Sequence, residues 1–269
     1  MRRTVTAIMA SALLGALAFA QEPPADPNLK FEVATMKTSP PGQERTGPCG
    51  IRPQPGGQSY SADCMSLKGF LTVIYRIKPD QVTGGPAWAD SDRFEMRGKA
   101  EKSSSADELH VMLRNLLLER FKLQYHFEKK ELPIYALTVD KGGPKLTPHE
   151  AKNAGDPWID QTQAQFLHMK MVATFCPLEY LAFRLGQMMD RPVVDMTGLK
   201  GGYDFTLEFT RELPPNIPET AQINGSPIDT SGLTVYEAVQ KQLGLKLERQ
   251  KGPAPILVID RAEKLVDSN

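Results

Sequence analysis

The chain runs through one order of elements twice, and that order constrains the fold more than any other feature of its 269 residues. Each half reads as strand, helix, strand, helix and two closing strands. In the first half, residues 31–37 form a strand. Leu67, Phe70, Leu71 and Ile74 then recur at the i, i+3, i+4, i+7 spacing of a buried helix face. Residues 93–99 alternate, with Phe94 and Met96 on one face and Glu95 and Arg97 on the other, as a half-buried strand requires. Ser105 and Glu108 have the spacing of a capping box, opening a helix whose apolar face is Leu109, Met112, Leu113, Leu116 and Leu117. Two strands close this half, over 121–128 and 134–140.

The second half follows the same plan. A strand over 166–173 precedes Pro177 and a helix carrying Leu178, Leu181, Leu185 and Met188. Tyr203, Phe205, Leu207 and Phe209 share one face of the next strand. Thr234 and Glu237 make a second capping box, and strands over 245–249 and 256–260 end the unit. The expected architecture is therefore α+β: two related βαβαββ modules, each with two helices packed on small mixed or antiparallel sheets. The first spans 21–140 and carries a hairpin insertion; the second spans 166–269. Residues 141–165, rich in Pro, Gly and polar side chains without a period, read as a linker. The long loop over 211–232 is of a length usually reserved for function or disorder.

Residues 1–20 have the makings of a cleavable signal peptide. Arg2 and Arg3 precede an apolar run from Val5 to Phe19, and Ala18-Phe19-Ala20 supplies the small-x-small cleavage pattern. The run is shorter than the roughly 20 residues that cross a bilayer, so cleavage after Ala20 and release outside the cytoplasm are expected. Removing the segment takes two of the 32 basic residues and none of the 32 acidic ones. The near-neutral remainder gives no electrostatic reason to expect nucleic acid or an anionic membrane as partner.

Export gives the three cysteines a context. Cys49 and Cys64 flank Pro55-Gly56-Gly57 almost symmetrically, so a hairpin there would face the two thiols. A disulfide is expected in an oxidising compartment, with two free buried thiols as the alternative. Cys176, before Pro177, reads as a small buried hydrophobe.

Several segments resemble a known family. Phe31-Glu32-Val33-Ala34, the turn Gly84-Gly85-Pro86-Ala87-Trp88, Glu119-Arg120-Phe121-Lys122-Leu123 and Arg191-Pro192-Val193-Val194-Asp195-Met196-Thr197-Gly198-Leu199 are similar to secreted proteins of soil bacteria described only as a domain of unknown function. So are Gly202-Tyr203-Asp204-Phe205 and Gln242-Leu243-Gly244-Leu245-Lys246-Leu247-Glu248. The resemblance implies export and this architecture, and brings no catalytic residues. Related domains fused to membrane metallopeptidases of the β-lactam-sensor type imply sensing or interaction. Residues 166–264 also resemble the short N-terminal domain of secretins and TonB-dependent receptors, which binds proteins; this is an argument at the level of fold.

Chemistry-bearing patterns are sparse. The four histidines, His110, His126, His149 and His168, lack zinc-motif spacing, and no serine-hydrolase signature occurs. Asp90-Ser91-Asp92 reads as a turn or cap before it reads as a cation site. No catalytic, cofactor-binding or metal-binding residue is nominated and no cofactor is expected. Trp88 and Trp158 lie in loop-like surroundings, where each could anchor a partner or plug the edge of a small core. The function expected is that of an exported, non-catalytic binding or interaction protein whose partner is another envelope or extracellular protein. The alternatives are an extracytoplasmic hydrolase with a site assembled between the modules, and a domain that senses a small-molecule ligand.

Overall fold

The apolar spacings and caps become elements close to their expected places in the computed structural model, which describes residues 26–39, 49–53, 57–150, 158–163, 167–213, 217–218, 220–223 and 225–265. The signal peptide expected at 1–20 lies outside the described residues. β1 (Val33–Thr38), β2 (Gly50–Pro53) and β3 (Ser59–Met65) lead into α1 (Leu67–Ile74), where the Ser66 hydroxyl accepts from the Gly69 amide at 3.0 Å. A 3-10 turn at Pro79–Gln81 follows, then β4 (Val82–Gly84), the short α2 (Trp88–Ser91), β5 (Phe94–Lys99), α3 (Ala106–Arg120) and β6 (Gln124–Val139). The rest of the chain forms β7 (Thr147–Pro148), β8 (Trp158–Gln163), β9 (His168–Cys176), α4 (Leu178–Gly186), β10 (Val193–Asp195) and β11 (Tyr203–Thr210). A small hairpin of β12 (Gln222–Ile223) and β13 (Ser226–Pro227) precedes α5 (Val235–Leu243) and β14 (Leu245–Arg261). Both capping boxes form, Ser105 with Glu108 at α3 and Thr234 with Glu237 at α5.

The fold is α+β, and its two outer sheets match. One has the order β1-β5-β3-β2 and the other β7-β11-β9-β8, all pairs antiparallel. Each sheet has a bulge beside the strand that enters a helix, and at each bulge a non-glycine residue takes a left-handed conformation: Cys64 at φ 48° and Phe175 at φ 49°. Such a backbone costs on the order of 1 kcal/mol or more and needs support. At Cys64 the support is covalent. The hairpin of β2 and β3 sets Gly50 opposite Asp63, and the Cys49–Cys64 disulfide closes it with the Cα atoms 5.1 Å apart. At Phe175 the backbone amide donates to Asp204 Oδ1 at 2.9 Å.

The central sheet, β10-β6-β14-β4, departs from the expected plan. The closing strands of each half are not hairpins within a module. Residues 121–128 and 134–140 fall largely in one strand, β6, and 245–249 and 256–260 in one strand, β14; the two run antiparallel over their whole length. β10 lies parallel to β6 at Tyr135–Leu137, and β4 parallel to β14 at Leu257–Ile259. Each long strand therefore serves both cores. Tyr125 of β6, with Leu123 just before the strand, joins Leu257 and Ile259 of β14 in the first, under α1 and α3. Tyr135 and Leu137 of β6 join Leu245 and Leu247 of β14 in the second, under α4 and α5.

Residues 141–165, expected as a linker, contain β7 and β8, the two edges of an outer sheet. Polar composition concealed them, because an edge strand buries little and needs few apolar residues.

Pro133, Pro253 and Pro255 lie inside the two long strands, where a missing amide can cost a ladder bond. The Gly85 amide donates to the Ile259 carbonyl and the Tyr135 amide to the Pro192 carbonyl, so odd-numbered residues of both long strands direct their backbone groups outward, away from the shared ladder. Pro133, Pro253 and Pro255 all occupy such positions. None removes a β6–β14 hydrogen bond, and each blunts an outer edge. Lys78 Nζ ties the halves together by donating to the Gly186 and Met189 carbonyls at the end of α4, at 2.7 and 2.6 Å.

Candidate functional site

Where β6 leaves α3, Leu118, Leu123, Gln124, Tyr125, His126 and Phe127 line an open groove of about 560 Å³. Strand alternation puts Leu123, Tyr125 and Phe127 on one face. Leu123 is buried in the first core and Tyr125 half-buried, whereas Phe127, the furthest along the strand, remains 36 % exposed. Its ring meets Tyr75 edge-on at 5.1 Å and Tyr125 at 6.1 Å, and the Tyr75 and Tyr125 hydroxyls are hydrogen-bonded. These contacts hold the exposed ring in place beside the groove.

On the opposite face His126 joins the two halves. Its Nδ1 lies 3.0 Å from both carboxylate oxygens of Asp260 on β14, and its Nε2 lies 3.5 Å from Glu128 Oε1. Glu128 also pairs with Lys130 at 2.9 Å. The hydrogen bond to Asp260, aided by Glu128, raises the imidazole above the ordinary histidine range. Each ring nitrogen faces a carboxylate, Nδ1 that of Asp260 and Nε2 that of Glu128. One histidine and two carboxylates from both halves are thus brought together in a solvent-exposed cluster.

The second half has a polar cluster on the same ladder. Tyr135 is fully buried, and its hydroxyl accepts from Tyr236 Oη at 2.7 Å and from Arg249 Nε at 3.2 Å while donating to Asp190 Oδ1 at 2.9 Å. Arg191 Nε donates to Asp190 Oδ2 at 3.2 Å. The guanidinium carbons of Arg191 and Arg249 lie 5.8 and 5.7 Å from the centre of the Tyr135 ring. Burial, with the bond from Tyr236 and the one to Asp190, pushes the Tyr135 phenol up to about 12. Partial burial opposes ionisation of Asp190, yet the bonds from Tyr135 and Arg191 keep it below the usual carboxylate range. Sequence reasoning missed this cluster. Tyr135 and Arg249 face each other only through the β6–β14 register, and no local pattern announces that partner.

The residues considered from sequence are dispersed. Trp88 opens α2 and is half-buried, stacked on Phe121 at 5.7 Å and edge-on to Phe94 at 6.3 Å, where it closes one side of the first core. Trp158 opens β8 opposite Thr174, and its side chain lies outside the described residues. Asp90 and Ser91 belong to α2, and Asp92 caps it and pairs with Lys264 at 2.7 Å. His149 Nδ1 lies 2.9 Å from Asp204, the residue that supports the Phe175 bulge. His168 pairs with Asp229 at 3.1 Å and sits 3.2 Å from Thr210 Oγ1, pinning the long loop. His110 packs edge-on to Tyr60, and burial drives it down to about 4, so it is neutral in the fold. Cys176 is buried, and burial pushes its thiol up to about 12, an inert thiol rather than a nucleophile.

Among the described residues no group of three His, Cys, Asp or Glu side chains is placed to hold a metal ion, and no helix is long and apolar enough to cross a membrane. Neither a curated protein nor a solved structure matches the chain. A family profile does match, over residues 68–262, across α1, both long strands and both cores, and the chain belongs to that family, DUF3738, described as a protein of unknown function.

Proposed function

We propose that this is an exported, non-catalytic binding protein, built as an internal repeat of two modules, that engages another envelope or extracellular protein through the aromatic groove at the start of β6. The observation that carries it is Phe127, a large apolar side chain held at the mouth of a groove by Tyr75 and Tyr125 while 36 % exposed. An ordered aromatic beside a concavity is the usual form of an interface anchor. The outward-facing prolines of the long strands argue against strand addition along the middle of the ribbon, which leaves side-chain docking as the mode of contact. Export is supported by the apolar prefix and by the Cys49–Cys64 disulfide, which an oxidising compartment maintains. The likeness of residues 166–264 to protein-binding domains of secretins and TonB-dependent receptors points the same way.

A photo-crosslinking residue at position 127, compared with one at Val172, tests this. Val172 has similar exposure, at 40 %, and does not line the groove. In envelope extract, position 127 should yield a discrete adduct that Tyr75→Ala weakens and position 172 does not give. Identical patterns from the two positions would end the proposal.

The hydrolase reading draws on one observation, the meeting of His126, Asp260 and Glu128. Its chemistry argues for a surface ion pair, and Asp260→Asn should lower the His126 pKa by NMR titration without creating esterase or peptidase activity.

A further inference from the structure

The Tyr135 cluster contains more positive charge than the fold uses. Arg191 and Arg249 each commit Nε, one to Asp190 and the other to the Tyr135 hydroxyl. The Nη groups of Arg191 form no hydrogen bond among the described residues, and Arg249, whose guanidinium also interacts with the Tyr236 hydroxyl, is exposed while Arg191 is half-exposed at the surface. A guanidinium with Nε occupied presents its two Nη groups end-on, the fork that grips two oxygens of a carboxylate or phosphate. Asp190 is the one carboxylate bound into the cluster, and Tyr135 and Arg191 use both of its oxygens, which leaves two guanidinium charges against one.

The fold does not require this charge. β4 runs along β14 in the first half as β10 runs along β6 in the second. By that correspondence Leu257 stands where Tyr135 does, and Phe127, its cross-strand neighbour, stands where Arg249 does. The first half satisfies the position with two apolar side chains.

We propose that Arg191 and Arg249 form a binding site for an oxyanion, a phosphate group or a carboxylate, at the surface of the second half, with Asp190 and Tyr135 fixing the two guanidinium groups. This site is separate from the Phe127 groove and does not depend on it.

The test uses the mature protein and follows the Arg Nε–Hε cross-peaks by NMR. Inorganic phosphate is added in one series and acetate in another, each against chloride at matched ionic strength. Saturable shifts at Arg191 and Arg249 are expected, and the tighter series identifies the preferred group. Arg249→Met, an exposed change that leaves the core intact, should weaken binding about tenfold or more, the loss expected for one charge-assisted pair. Shifts that track ionic strength alone, or an affinity unchanged by Arg249→Met, would overturn the proposal.

Discussion

The two outer sheets share a strand order, yet the two halves secure the same backbone features by different chemistry. The left-handed residue before the first helix of each half is clamped by a disulfide at Cys64 and by a carboxylate at Phe175. At the matched place on the central ladder the first half stacks Phe127 and Leu257, while the second assembles two tyrosines, two arginines and an aspartate. Topology fixes where a strained residue or a buried pair must be supported; it leaves open what supports it. The positions where the halves diverge are therefore those that the shared fold does not dictate, and the groove and the oxyanion site both fall there.

The interlocked cores offer the largest perturbation. Leu257 and Leu245 are both fully buried in β14, yet they belong to the first and second cores respectively. Leu257→Ala and Leu245→Ala should each cost about 2–5 kcal/mol in denaturant unfolding. In hydrogen exchange the first should expose α1 and α3 and the second α4 and α5. Loss of protection confined to α4 and α5 in both variants would mean that β14 serves one core only.

Acid should separate the halves next. His110 belongs to the first half, with its folded pKa driven to about 4 by burial, then by the Arg76 charge, against a smaller opposing effect of Asp107. The folded state holds this ring neutral while the unfolded chain protonates it near 6.5. Its contribution is fully present above that pH and is lost as pH falls from about 6.5 to about 4, up to about 3 kcal/mol in all. His110→Leu should flatten the stability profile across that window. His126, whose folded pKa is raised, runs the other way, favouring the fold below its ordinary pKa and losing that contribution as pH rises through the folded one. Its exposure keeps the effect small.

The two bulge clamps give the third contrast. Reducing the disulfide, which spans a sequence separation of 15, should cost roughly 3 kcal/mol by the loop-entropy argument. Asp204→Asn at the ionic clamp should cost about 1–2 kcal/mol, since its bonds to the Phe175 amide and to His149 are both weakened. Thermal unfolding of the two variants ranks the clamps, and equal losses would deny the covalent one its advantage. The smallest expected effects are at the capping boxes, where Ser105→Ala and Thr234→Ala should each cost about 1 kcal/mol and match one another.

Most local structure was legible in the sequence. Periodicity placed all four long helices, the Ser105 and Thr234 boxes marked two of their starts, and the β2–β3 hairpin followed from two cysteines around a Pro-Gly-Gly turn. Of the candidate site residues, the alternation of Leu123, Tyr125 and Phe127 marks one strand face and leads one to expect all three inward, but Phe127 is 36 % exposed, and Tyr75, fifty residues from Tyr125, has no local signal that it meets that face.

What the sequence determined by itself is what the chain decides within a few residues: helix faces from 3.6-residue spacing, strand faces from alternation, and helix starts from side chains that satisfy orphan amides. Tertiary structure alone decided the partners. A period of two states which face of a strand is apolar and says nothing of which strand lies beside it, so β6 and β14 read as four strands closing two separate modules. Their full-length pairing places Tyr135 against Arg249 and His126 near Asp260, contacts whose members are more than a hundred residues apart. It also makes Pro133 harmless, because the missing amide faces outward rather than into the ladder.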